Sequence, residues 1–149
     1  MYQLIVHLIE LEPEGLGAEW RLFDALGRQV AAGGPAAFSR LKEALPPQAD
    51  SPQITVIVPA AQIAYMTADV PARQRRHLKE VLPYLLEEKL AEDVSLLHLA
   101  AGKMENGRGL PVAVVRKSTM QQWLQTLQEA GLSPHIMLAE TQLMLHAVD

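Results

Sequence analysis

The chain has 149 residues, 49% of them hydrophobic and 20% charged, which is ordinary for a folded soluble protein with one domain or two small ones. Its formal net charge of −4 argues against nucleic acid as the main partner, because no basic field covers the chain. Cysteine is absent, which excludes disulfides and cysteine-ligated zinc or iron–sulfur sites.

The first half of the chain predicts a β-meander followed by a helix and a strand. Residues 2–11 (YQLIVHLIEL) read as a strand, and acidic residues follow this short apolar run, so it is not a signal peptide. Residues 12–17 predict a turn, residues 20–26 a second strand, and Gly27–Arg28 a tight turn into a third strand at 29–32.

A helix is expected next, opened by Gly33–Gly34–Pro35 and stopped by Pro46–Pro47, with Phe38, Leu41 and Leu45 on its buried face. The β-branched run at 53–58 (QITVIV) then predicts a buried, central strand.

The second half predicts the order β-α-β-β-α-β, a ferredoxin-like unit. Its Asn-Gly turn favours a hairpin, Ser118 is expected to cap a helix that Gly131 ends, and a last helix is expected to start at 140. The predicted elements are a strand at 63–70, a helical stretch at 71–94, strands at 96–101 and 111–116, a helix from 118 with Met120, Trp123, Leu124, Leu127 and Ala130 buried, and a strand at 135–139.

The helical stretch at 71–94 (PARQRRHLKEVLPYLLEEKLAEDV) has its charges in an unusual order. Basic residues fill its first half and acidic residues its second, so one straight helix would place both groups against its macrodipole. Pro83 removes a helical hydrogen bond and clashes with the preceding turn, which predicts a kink or break near Leu82–Pro83. Glu87 and Glu88 would then lie near the start of a second segment, where negative charge is tolerated.

No pattern in the sequence indicates catalytic, metal or cofactor chemistry. The five histidines lack partners at metal-ligand spacing, and no serine motif or phosphate-binding glycine loop occurs. The acidic residues of the helical stretch have a solvated setting that gives no reason for a raised pKa. We therefore predict no catalytic residue, no metal site and no cofactor. The histidines are His7, His77, His98, His135 and His146.

Residues 70–100 resemble the cytoplasmic part of the type II secretion system protein L family. The resemblance rests on Val70–Pro71–Ala72, on Leu82–Pro83, on Leu86–Val94 (LEEKLAEDV) and on His98–Leu99–Ala100. The run from Leu127 to Leu132, with the proline after it, also looks like the equivalent region of the pilus-assembly M proteins.

The resemblance implies an α/β (α+β) fold with an actin-like, ribonuclease H-like half-domain. Residues 1–60 would form that half-domain, 61–139 an inserted β-α-β-β-α-β subdomain, and 140–149 the start of the return helix. The family protein continues to a membrane-spanning helix and a periplasmic domain, which agrees with an apolar pattern still in progress at Ala147–Val148. This fragment would then meet the membrane only through the missing C-terminal parts.

The resemblance also implies function. Family members recruit the secretion ATPase to the inner membrane by binding its N-terminal domain, contact other inner-membrane platform subunits, and tend to dimerise. They act at the cytoplasmic face of the bacterial inner membrane and are not convincing ATPases. Glu12-Pro13-Glu14 stands where an actin-like ATPase needs a phosphate-binding loop, which agrees with that view.

Two alternatives stay open at this point. One is a pilus-assembly M-type protein that binds nucleotide, and the other is a fragment of an actin-like or sugar-kinase-like enzyme. The partner contact is expected to use charges on the helical stretch, or else an exposed strand edge. The candidate partner-binding residues are Arg75, Arg76, Glu87, Glu88, Glu92 and Asp93.

Overall fold

The computed structural model describes residues 1–11, 15–45, 52–103 and 109–140. The chain divides into two compact units, one made of Met1–Ala60 with Trp123–Asp149 and the other of Ala61–Gln122. The described residues form the strands β1 (Gln3–Leu11), β2 (Gly15–Phe23), β3 (Gln29–Ala37), β4 (Gln53–Val58), β5 (Ala64–Ala68), β6 (Leu97–Ala101), β7 (Leu110–Arg116) and β8 (Ile136–Ala139), and the helices α1 (Leu41–Ala44), α2 (Leu78–Leu86) and α3 (Lys117–Glu129).

A five-stranded sheet in the order β3-β2-β1-β4-β8 forms the first unit. The first three strands are antiparallel neighbours, whereas β4 runs parallel to both β1 and β8. Side chains alternate across β1, because successive residues of a strand point to opposite faces. Leu4, Val6 and Leu8 are buried on one face, while Ile5 and His7 lie half-buried on the other.

The turn between β2 and β3 is held by one carboxylate, that of Asp24. It accepts hydrogen bonds from the backbone N–H groups of Leu26 (2.9 Å) and Arg28 (3.0 Å) and from Nε of Arg28 (2.8 Å). These bonds, led by the one from the Arg28 backbone, lower the pKa of Asp24. Gly27 has a φ of +78°, a conformation that glycine adopts without steric cost. The predicted turn at Gly27–Arg28 is confirmed.

The third strand is longer than the sequence predicts. The ladder with β2 continues through Gly33 to Ala37, so the predicted helix does not open at Gly33. An added Cβ at Gly33 would lie 2.6 Å from Nε1 of Trp20, so the strand can approach the indole only because this residue is glycine. The helix starts later, as a 3-10 turn at Phe38–Arg40 followed by α1.

The second unit is a three-stranded antiparallel sheet in the order β5-β7-β6, with α2 packed against it. The hairpin of β6 and β7 is confirmed. Its core combines apolar side chains from all three strands and from α2. Its buried residues are Ala68, Val70, Leu82, Leu86, Leu97, Leu110, Val112 and Val114.

One strand lies in a different sheet from the one predicted. The β-α-β-β-α-β prediction for 61–139 places β8 in the inserted unit, but β8 pairs with β4 in the five-stranded sheet. The prediction was wrong because a short apolar run indicates a strand without identifying its neighbour. The identification of the two units with an actin-like half-domain and its inserted subdomain stays a prediction.

Helix α3 leads from the second unit back to the first. It starts at Lys117, so Ser118 lies inside its first turn and not at the predicted cap. Trp123 and Leu127 are buried as predicted, whereas Leu124 is 41% exposed. Gly131 follows with a φ of +77°, and the N–H of Leu132 donates to the Leu127 carbonyl at 2.9 Å, which confirms the predicted helix end.

Four sequence predictions fall wholly or partly outside the described residues. They concern the start of the turn at 12–17, the prolines at 46–47, the hairpin turn at 104–108, and the last helix beyond residue 140. Among the described residues, no helix is long and apolar enough to cross a membrane.

Candidate partner-binding surface

The stretch at 71–94 is divided into short helical pieces. A 3-10 helix at Ala72–His77 precedes α2, and a second 3-10 helix at Glu87–Lys89 follows it. Of the predicted kink or break near Leu82–Pro83, the break is absent, because α2 continues through Pro83 to Leu86; the kink stays a prediction. Pro83 has no N–H to donate to the carbonyl of Lys79 four residues earlier. Lys79 is exposed, so this carbonyl can bind water instead. The helical geometry instead changes at His77, where φ is −113° and ψ is 36°.

This division accounts for the order of the charges. Arg75 and Arg76 lie in the last turn of the first 3-10 helix, where cations are favoured. Glu87 and Glu88 lie in the first turn of the second, where carboxylates are favoured. The expectation that Glu87 and Glu88 start a new segment is therefore confirmed, although the boundary lies after Leu86 and not at Pro83.

Four of the six candidate residues are exposed and uncommitted, by which we mean that they form no ion pair with another described residue. Arg75, Arg76, Glu87 and Glu88 are all exposed, and none of them has an ion pair with another residue of the described part of the chain. The nearby ion pair is between His77 and Glu80, whose Nδ1 and Oε2 atoms are 3.9 Å apart. Charges without a partner among the described residues are available to a partner outside the molecule.

The other two candidates, Glu92 and Asp93, form hydrogen bonds with other residues of the same chain. The carboxylate of Glu92 accepts from Nε of Arg116 at 2.8 Å, and this bond raises the pKa of Arg116. Asp93 caps the 3-10 turn at Val94–Leu96 by accepting from the backbone N–H of Ser95 at 3.0 Å, which lowers the pKa of Asp93. The structure therefore separates these two acids from the four uncommitted charges.

Sequence reasoning missed an aromatic residue between the charges. Tyr84 is 77% exposed at a position of α2 opposite the buried Leu82 and Leu86. It can be found from the sequence, because a tyrosine two residues from each of two leucines points away from their face of a helix. We name these five exposed residues of the helical stretch the charged stripe: Arg75, Arg76, Tyr84, Glu87 and Glu88.

A groove of about 360 Å³ opens elsewhere in the second unit. Its lining is mainly apolar, with Ile63, Leu90 and Leu97 among its side chains, and it includes the paired Glu92 and Arg116. Nothing in its lining resembles a phosphate or metal site, because the charges it contains already neutralise each other.

A second polar cluster lies in the first unit, beyond the ends of β4 and β8. Nε2 of His7 lies 2.8 Å from Oε1 of Glu140, and Oε2 of Glu140 accepts from the N–H of Ala60 at 3.3 Å. The hydrogen bond with His7 lowers the pKa of Glu140 most, ahead of the opposing effect of burial. This cluster links three parallel strands, since His7 lies on β1. In the described part of the chain, no three His, Asp or Glu side chains are placed to hold a metal ion.

Comparison with known proteins adds a family match. Residues 8–145 match the family model described as type II secretion system (T2SS), protein L. The chain is 32% identical over 144 residues to the type II secretion system protein L of Pectobacterium carotovorum subsp. carotovorum, covering 95% of the chain and 32% of that protein. It is 33% identical over 132 residues to the Dickeya chrysanthemi protein L, covering 87% and 32%. The chain thus spans about a third of the length of these relatives.

Solved structures with the same architecture include the cytoplasmic domain of EpsL, an inner membrane component of the type II secretion system of Vibrio cholerae. That domain superposes with a TM-score of 0.74 at 23% identity, covering 93% of the chain and 57% of the domain. The PilM–PilN type IV pilus biogenesis complex also contains a similar chain, with a TM-score of 0.67, 14% identity and coverage of 93% and 47%. These likenesses confirm the actin-like fold class.

Proposed function

The chain belongs to the type II secretion system protein L family, and from this we propose that it is a scaffold of the inner-membrane platform of that system. We propose that it lies at the cytoplasmic face of the membrane and recruits the secretion ATPase by binding its N-terminal domain. The observation that carries the proposal is the family match over residues 8–145. Support for the location comes from the similar Vibrio cholerae domain, which is cytoplasmic and belongs to an inner membrane component.

Membership of this family favours a scaffold over the two alternatives. A nucleotide-binding M-type protein and a sugar-kinase-like enzyme would each be expected to match a different family first. We therefore propose a non-enzymatic role, with other inner-membrane platform subunits and a second copy of the chain as further partners. The hydrogen bond between Arg116 and Glu92 supports a structural role for this acid and not a catalytic one.

The charged stripe is the surface that we propose for the ATPase. Its four charges are exposed and lack partners among the described residues, so binding need not break an internal ion pair. Exposed charges mainly accelerate association and set specificity, while the aromatic ring of Tyr84 supplies contact area. Glu92 and Asp93 would act indirectly, by holding the loop after the stripe. An outer strand such as β5 offers a second route, by addition of an extended segment.

Association kinetics with the N-terminal domain of the ATPase test the proposal. Reversing Arg75→Glu and Arg76→Glu together is expected to slow association about tenfold at low ionic strength and to flatten the salt dependence. The matched control is Arg21→Glu with Lys117→Glu, which makes the same change of net charge at exposed positions outside the stripe.

Two results would count against the proposal at different levels. If the double reversal leaves the association rate and the salt dependence at wild-type values, the arginines are not the contact. If neither this chain nor the longer cytoplasmic region binds the ATPase domain at all, recruitment itself is wrong.

A further inference from the structure

The outer strand β6 presents backbone groups that its neighbour β7 does not use. Just past the end of β6, the N–H of Gly102 donates to the carbonyl of Pro111 at 2.8 Å, so these two residues form a hydrogen-bonded pair of the antiparallel ladder. Such pairs alternate with pairs that are not hydrogen-bonded, so Ala100 bonds to β7 while Leu99 and Ala101 do not. The N–H and C=O groups of Leu99 and Ala101 therefore point away from β7, and we name them the free edge.

The free edge has no partner in the part of the chain that the structure describes. Neither Leu99 nor Ala101 forms a further hydrogen bond with a described residue. His98, Ala100 and Ala101 are exposed, so water reaches this strand. The five residues of β6, LHLAA, include no proline, lysine or acid, and they pair with β7 without a bulge. Proteins commonly use these features to protect an outer strand from pairing, so β6 is open to it.

The opposite outer strand, β5, is less available. Thr67 lies across from Pro111, whose bond with Gly102 directs its backbone groups towards β6, so Thr67 points its own N–H and C=O away from the sheet. Nζ of Lys89 donates to this outward carbonyl at 3.2 Å. A strand that pairs with β5 must displace the lysine, whereas a strand that pairs with β6 displaces no such bond.

We propose that β6 binds an extended segment of another protein, which adds an antiparallel fourth strand to the three-stranded sheet. The backbone of the segment pairs with the free edge, and this pairing supplies affinity without requiring one particular sequence. Antiparallel pairing is favoured because it is slightly more stable per residue than parallel pairing. The five residues of β6 span roughly 17 Å at about 3.4 Å per residue, so a segment of similar length suffices.

The side chains around the free edge favour an uncharged segment with apolar residues at every second position. From Val94 to Ala101 the chain contains no Lys, Arg, Asp or Glu, so a charged segment finds no opposite charge on this strand. Leu97 and Leu99 belong to the core face of β6, and Ala101 follows them on that face. Its small side chain leaves room for a large apolar side chain opposite. Leu96, 59% exposed, adds apolar surface just before the strand.

Amide NMR of the whole chain with a defined peptide tests the proposal. The probe is a capped peptide of alternating valine and threonine, with a neutral ethylene-glycol tail for solubility. In the free protein, the amides of Leu99 and Ala101 should exchange faster than the amide of Ala100, which bonds to β7. At a saturating millimolar concentration of the probe, exchange of the two free-edge amides is expected to slow at least tenfold.

Methylation of the probe's backbone gives a control that leaves the protein unchanged. In an antiparallel pair, residues directly opposite each other share a face, so valines on the core face lie opposite Leu99 and Ala101 and direct their N–H groups at the free edge. N-methylation of the valines is therefore expected to weaken binding at least tenfold. N-methylation of the threonines, whose N–H groups point away from β6, should leave binding within about twofold.

Two proline variants test the same edge from the protein's side. Ala101→Pro removes one N–H of the free edge without removing a bond to β7, and Thr67→Pro makes the matched change at the outer edge of β5. Ala101→Pro is expected to weaken probe binding about tenfold, and Thr67→Pro should leave it within about twofold. The Tm of each variant shows whether it folds, and the methylated peptides decide the matter if Ala101→Pro does not.

Three results would overturn the proposal. The first is a probe that leaves the amides of Leu99 and Ala101 unprotected, or that protects β5 instead. The second is an equal effect of methylation at the valines and at the threonines. The third is a dimer of the chain alone that Ala101→Pro dissociates, because β6 would then pair with a second copy and not with another protein. The ATPase is absent from these experiments, so their outcome is independent of the proposed recruitment.

Discussion

Leu86 is the residue whose removal should most damage the second unit while leaving its surface chemistry unchanged. It is fully buried in α2, among the apolar side chains of the three-stranded sheet. Tyr84, two residues earlier on the same helix, is 77% exposed. Leu86→Ala and Tyr84→Ala therefore truncate neighbouring side chains in opposite environments.

The expected cost of Leu86→Ala follows from its burial. Removing a fully buried leucine loses its transfer free energy and leaves a cavity, which together cost about 2–5 kcal/mol. A value near 3 kcal/mol is expected, because a core of eight buried residues has few neighbours that can collapse into the gap. Because Leu86 lies in the smaller unit, Ala61–Gln122, that corresponds to roughly 12–24 °C in the Tm of this unit. Tyr84→Ala is expected to stay within about 0.5 kcal/mol of wild type.

Denaturant unfolding and amide hydrogen exchange measure the two effects. Leu86→Ala should speed exchange in β6 and β7, which share its core, and leave β1 in the other unit protected. Tyr84→Ala should change neither. A loss below about 1 kcal/mol for Leu86→Ala, or an equal loss for both variants, would refute the reasoning from burial.

Two further predictions concern the five-stranded sheet. Gly33→Ala should destabilise the protein by about 1–3 kcal/mol and shift tryptophan fluorescence, because the new Cβ meets the indole of Trp20; unchanged unfolding and emission would contradict the close approach. His7→Ala should raise the pKa of Glu140 towards 4.5 in a carboxyl NMR titration. The lowered pKa stabilises the fold above pH 4.5 and loses this effect as pH falls, so the variant should lose less stability on acidification; an unmoved pKa would exclude the His7 bond as its cause.

A strand could be predicted from the sequence where its own residues favour extended structure. The apolar run of β1 and the β-branched run of β4 each predict a strand, and each is confirmed. The extension of β3 was not predictable, because its glycines, alanines and proline favour a turn. The ladder with β2 and the packing on Trp20 override that local preference.

The candidate surface was predictable in composition but not in its internal bonds. The density of charge at 71–94 correctly indicated exposed residues, such as Arg75 and Glu88. The bond between Glu92 and Arg116 joins residues 24 positions apart, so no local pattern could reveal it. The bond of Asp93 was within reach of sequence reasoning, because an aspartate side chain commonly accepts from the backbone N–H two residues further on, here that of Ser95.

The place of β8 beside β4 has a consequence for the modularity of the chain. Two parallel neighbouring strands require a crossover of about a dozen residues, and α3 with its 13 residues already supplies that length. The segment that contains β5, α2, β6 and β7 is then an insertion in this crossover, because α3 alone meets the required length. We expect that a short connector could replace this insertion while the five-stranded sheet keeps its strand order. The recruiting surface proposed above would thus be free to diverge with its partner without altering the sheet.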